Sequence, residues 1–143
     1  MRKSNTLVIA AIGVVLVACG SAPAAGNGEF PSAAYSSITS DGGGYRIEVR
    51  TAPGQPPQRG ELEVELRIVD AAGSQADGLT LDVTPWMPSH GHGTSVVPTV
   101  AALGGGTYRV GQVELFMPGT WLLRIAITKD GHADSAAANV EVQ

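Results

Sequence analysis

Met87, His90 and His92 fall within TPWMPSHGHGTSVVP, residues 84–98, of a 143-residue chain that has only three methionines and three histidines. Thioether sulfur and imidazole nitrogen together select copper, Cu(I) above all, over hard cations such as Mg²⁺ and Ca²⁺. The other internal methionine, Met117, stands in FMPGTW and, like Met87, precedes a proline. His-x-His in extended backbone turns both rings to one side, because side chains alternate with a period of two. Gly91 and Gly93 allow a ligand close to the backbone, while Pro85, Pro88 and Pro118 stiffen the supports. With no carboxylate in the loop, a hard-ion cage is not expected. The candidate metal ligands are therefore Met87, His90, His92 and Met117, and copper is the expected cofactor. A competing reading needs no metal: Met-Pro plugs the open end of a sandwich, Gly-His-Gly is a tight turn, and Trp86 and Trp121 serve as core or lid.

Other chemistries are poorly served. Blue-copper electron transfer requires a cysteine thiolate, and the one cysteine, Cys19, has another use described below. A Ser/His/Asp set can be assembled on paper from Ser89, His90 or His92, and Asp82, but no nucleophile motif accompanies it. Zinc hydrolysis would need a further histidine or carboxylate at the same place. No enzyme and no catalytic residue are expected.

The elements that position these residues begin with a leader. Arg2 and Lys3 precede an apolar run, TLVIAAIGVVLVA, too short for the roughly 20 residues of a membrane span. Leu16-Val17-Ala18-Cys19 resembles a bacterial lipobox, so residues 1–18 read as a lipoprotein signal peptide and Cys19 as the lipidation site. Acyl chains, at about 0.8 kcal/mol per buried methylene, would hold the chain to a membrane. Gly20, in place of the aspartate associated with inner-membrane retention, favours the outer membrane of a bacterial envelope. Residues 19–44, rich in Gly, Ala, Ser and Pro, read as a flexible tether entering the domain at the end opposite the histidines. Loss of Arg2 and Lys3 with the leader takes the net charge from −4 to −6, which disfavours nucleic acid and anionic headgroups as partners.

Residues 45–143 form the expected domain. ELEVELRIVD, residues 61–70, alternates Leu62, Val64, Leu66 and Ile68 with Glu61, Glu63, Glu65 and Arg67, as a sheet with one wet face requires. Strands are predicted at 45–50, 61–70, 79–84, 94–101, 107–116, 120–129 and 134–142, separated by Gly/Pro/Asp clusters. Seven strands without helical periodicity predict an all-β fold, an immunoglobulin-like antiparallel β-sandwich. If each connection reverses direction, loops 51–60, 85–93 and 117–119 share one pole, facing away from the membrane, and 71–78, 102–106 and 130–133, with His132, share the other.

The segments PWMPSHGHGTSVVPTV, GTYRVGQVELFMPGTWLLRIAI and DSAAANVEV resemble the YtkA-like domain, which is related to FixH-like proteins. The resemblance covers most of residues 45–143 and is best in 85–127. It implies a small immunoglobulin-like domain in the bacterial envelope, and, through FixH-like proteins, copper supply to haem-copper oxidases. Residue by residue it carries over Met87, Pro88, His92, Gly93, Met117, Pro118, Gly119 and Trp121. The chain departs from FixH-like proteins in having a lipobox instead of their membrane helix. The sequence thus supports a copper-handling envelope lipoprotein; the alternative is a metal-free interaction module whose Trp/Met/Pro pole docks an envelope protein.

Overall fold

A computed structural model describes residues 29–143, so the leader and Cys19 lie outside the described residues. Nine strands form two antiparallel sheets, and no helix occurs among the described residues. One sheet has the order β1 (Ser36–Thr39), β2 (Tyr45–Ala52), β3 (Gly60–Asp70), β7 (Thr107–Leu115), β6 (Thr99–Gly104); the other runs β5 (His92–Gly93), β4 (Thr80–Met87), β8 (Gly119–Lys129), β9 (His132–Val142). The all-β sandwich follows the alternation read from the sequence. Leu62, Val64, Leu66 and Ile68 of β3 face Trp121, Leu123, Ile125 and Ile127 of β8 within one buried core. In β7 the phase slips at Gln112, whose φ is +59°, so that Val110 and Val113 both point inward. Such a bulge inserts an unpaired residue and lets the alternation resume.

Four expectations change. The strand predicted at 94–101 begins only at Thr99: Pro98 offers no N–H to a ladder, and Thr94 Oγ1 donates to the Val96 carbonyl, folding that stretch into a crossing between the sheets. β5, two residues long, escapes periodicity altogether. The third change concerns the tether, because residues 36–39 pair with β2 in register Ser36↔Val49 to Thr39↔Arg46. Tyr35 and Ile38 pack against the core, so this part of the chain has something to bury after all.

β1 also reverses the direction of entry. The β1–β2 turn lies at the His132 end, where the Ser40 hydroxyl donates to Asp134 at 2.6 Å, the Gly42 N–H donates to the same carboxylate at 2.8 Å, and the Asp41 N–H donates to the Ser135 carbonyl. Residues 29–35 therefore approach β1 from the side of the histidine pole, and the expectation that this pole faces away from the membrane loses its basis. From there residues 29–34 cross the outer face of the five-stranded sheet. Arg50 donates to the Ser32 carbonyl, Gln55 Nε2 donates to the Ala33 carbonyl, and Phe30 lies under the Arg109 guanidinium, 5.2 Å from ring centroid to Cζ. This strap explains why Arg50 and Glu65, on the face expected to be wet, are 4% and 7% exposed. Their charges are matched within a cluster in which Glu48 and Glu65 flank Arg50, and Arg67 donates to Glu65 at 2.8 Å.

Candidate functional site: a histidine hairpin over a methionine

β4 and β5 form a hairpin whose last pairs are Trp86↔Gly93 and Met87↔His92. Pro88, Ser89, His90 and Gly91 make the four-residue loop between them. The His90 and Gly91 N–H groups both donate to the Met87 carbonyl, at 3.2 and 2.9 Å, and Gly91 takes the positive φ, +68°, that lets the chain turn back. Gly93 is required by packing: a Cβ there would sit 2.6 Å from the Pro85 carbonyl oxygen. The two glycines thus build the turn itself.

The hairpin places the rings of His90 and His92 side by side, with centroids 5.6 Å apart and planes inclined at 57°. Both residues are exposed. His92 Nδ1 lies 3.0 Å from the Gly93 carbonyl oxygen. A carbonyl only accepts, so this contact is a hydrogen bond in the tautomer that carries the hydrogen at Nδ1, which leaves the lone pair at Nε2.

Met87 and His92 are cross-strand partners, so their side chains start from the same face of the sheet. Met87, however, is 2% exposed and points into the core. Its methyl carbon lies 3.1 Å from where a Cβ of Gly119 would be, and that contact joins the hairpin to the FMPGTW turn. Met117 is half-buried against the core, and its carbonyl accepts the indole N–H of Trp121 at 2.9 Å. Trp121 is core, as the metal-free reading expected, whereas Trp86 lies on the outer face beneath the Arg124 guanidinium, 4.3 Å from its centroid. Loop 51–60 joins the same pole, since the Arg59 N–H and the Pro57 carbonyl bond to Gln143 just beyond Val142, the partner of Gly119.

The four predicted ligands therefore share one end of the sandwich but not one level. The imidazoles are exposed, Met117 is half-buried against the core, and Met87 is buried. Asp82 is exposed at mid-strand on β4, opposite Ala126. No three His, Cys, Asp or Glu side chains converge among the described residues. Phe116, 59% exposed at the same pole, is a feature the sequence reading did not single out. Nothing in periodicity distinguishes it from the inward Leu115; its exposure comes from the chain leaving β7.

The fold and the hairpin define a small two-sheet β-sandwich with a His-x-His turn at one pole. The YtkA-like family model matches residues 39–126, more than half of the chain, and the chain belongs to the YtkA-like family. No curated protein and no solved structure matches it significantly.

Proposed function

We propose that the protein is a lipid-anchored envelope protein that binds or passes copper at the hairpin pole, with His90 and His92 as the primary ligands and Met117 and Met87 as soft donors behind them. The observation that carries this reading is the paired imidazoles of one rigid turn, 5.6 Å apart and open to solvent. Two features support it further. With the hydrogen at Nδ1, the 3.0 Å contact to the Gly93 carbonyl holds the His92 ring as metal-binding histidines are commonly held, the second nitrogen donating to a carbonyl. Two thioethers, Met87 and Met117, belong to the same end of the sandwich, and thioether with imidazole is a set suited to Cu(I). The anchoring part rests on the basic start, the apolar run and Cys19.

Titration of Cu(I) and Cu(II) into the protein and its His90→Ala, His92→Ala and Met117→Ala variants tests the reading. Loss of either imidazole is expected to weaken Cu(I) binding at least about tenfold, roughly 1.4 kcal/mol, with a smaller effect at Met117. Binding is also expected to weaken in acid, because protons compete for the ring nitrogens. Equal affinity in all four proteins ends the proposal.

Phe116 favours a second reading, a docking pole for an envelope protein that needs no metal. Capture of a membrane-extract partner that is lost in Phe116→Ala and kept in His90→Ala would support it.

A further inference from the structure

The two long edges of the sandwich differ. β9 lies against β1, and its margin carries Asp134 and Glu141. The opposite margin is formed by β5 and β6, with β4 lying against β6 and β7 across the core. Residues 83–108, which supply all of β5 and β6, contain no Asp, Glu, Lys or Arg, although the chain as a whole is acidic. β6 is exposed along most of its length, and the two large apolar side chains left in solvent there, Val97 at 76% and Leu103 at 54%, bracket it. Along the strand, Thr99 and Leu103 are about 13 Å apart, and Val97 stands two residues before Thr99. Natural edges are usually blunted by charge or brevity; β5 is two residues long, but β6 has neither protection.

The strap gives this margin an occupant. It crosses β2 and β3 and puts Phe30 over Arg109 of β7, one strand from β6, opposite Ala101. From Glu29 back to Cys19 is ten Cα steps, at most about 33–36 Å of chain. Acylation at Cys19 therefore keeps the domain within one domain length of the bilayer.

We propose that the β6 margin, with Val97 and Leu103 at its ends, rests on the lipid headgroup layer. This inference rests on the anchoring reading above. The margin is where an acidic domain approaches an anionic surface with least repulsion. Val97 and Leu103 reach toward the acyl boundary while the unpaired N–H and C=O groups of β6 stay among hydrated headgroups, as an open edge must. β5 belongs to the same margin, so this posture holds the His90/His92 hairpin beside the membrane and within reach of a membrane-embedded donor or acceptor of copper.

Single cysteines introduced by Val97→Cys, Leu103→Cys and Ala137→Cys test the posture, the last on β9 at the far side. With Cys19 acylated, the new thiol is the only one available for a spin label. The full-length protein is reconstituted into phosphatidylcholine/phosphatidylglycerol vesicles, and collision of each label with a water-soluble nickel chelate is measured. Labels at 97 and 103 are expected to lose most of their accessibility on reconstitution, relative to detergent, while 137 keeps its own; a Leu103→Glu substitution should restore accessibility at 97. Unchanged accessibility at 97 and 103 overturns the docking. Dipolar broadening between labels at 103 overturns it in favour of a second copy on the same edge. Intact mass reports acylation separately, so a chain bare at Cys19 ends the anchoring reading and this inference with it, whereas an acylated chain with exposed labels ends only the posture.

Discussion

The two poles of the sandwich use polar groups in opposite ways. At the His132 pole, hydrogen bonds are directed inward. Tyr108 is 1% exposed, and its hydroxyl donates to the Ala76 carbonyl while accepting the Leu79 N–H. The Gly106 N–H donates to Asp77, and Asp134 binds Ser40, Gly42 and the Ser135 N–H. At the hairpin pole the backbone closes the turn, while the two imidazoles stand in solvent with one ring nitrogen, His92 Nδ1, engaged. Buried polar groups need partners because an unmet one costs about 1–3 kcal/mol, whereas exposed ones are free to meet a ligand. One pole is a clasp, and the other presents donors.

If that division is right, substitutions separate into those that cost stability and those that cost copper. The largest effect belongs to the floor of the hairpin pole: Trp121→Ala empties a core site and unpairs the Met117 carbonyl. Denaturant unfolding is expected to show a loss of about 3–5 kcal/mol, and copper affinity should fall with it. Tyr108→Phe comes next, leaving two buried backbone groups without partners, for about 2–4 kcal/mol. Cu(I) affinity in the folded variant should stay unchanged; a drop there would break the contrast between the poles. Gly93→Ala should invert the pattern. Its Cβ displaces Pro85 or opens the hairpin, costing about 1–2 kcal/mol, and the loss of Cu(I) affinity should exceed what that figure alone would suggest.

Much of this was legible in the sequence, and the exceptions share a physical cause. The alternations in β3 and β8, the outward glutamates and the shared pole of the two Met-Pro motifs all follow from period-two patterning and a count of reversals. The misread places are those where a long-range contact overrides local composition. Residues 36–39, SSIT, look like the polar tether before them, and only pairing with β2 and the clasp at Asp134 makes them a strand. Val96 and Val97 have the residue types of a strand but precede a proline in a crossing between sheets. That Met87 would be buried while its cross-strand partner His92 stays exposed is invisible to a pattern, since it depends on Gly119 leaving room below. The site was therefore legible as a set of residues and a pole, but its layering was not.

Acid should separate the poles by pH alone. The Ser40 hydroxyl, the largest influence, holds the Asp134 carboxyl below its usual range; desolvation, the next largest, pushes the other way, and the Gly42, Ser135 and Gly44 N–H groups add to the lowering. A carboxylate whose folded value is depressed adds stability that is fully present above its unfolded value near 3.8 and is lost as pH falls through the lower folded value. Unfolding followed from pH 5 downward should show that loss in the parent protein, and Asp134→Asn should flatten it while lowering stability at neutral pH. If the acid slope is the same in both proteins, Asp134 is not the clasp described here.

The smallest expected change in stability, and the most informative, is at His90. Its ring is exposed and lies in a turn closed by backbone bonds from its own N–H and that of Gly91 to the Met87 carbonyl, neither of which needs the imidazole. His90→Ala should therefore stay within about 0.5 kcal/mol of the parent in denaturant unfolding. The same variant should lose at least about tenfold in Cu(I) affinity. A stability loss well above that bound would mean the ring packs as part of a stiff cap, and the hairpin pole would then resemble the clasp at the other end.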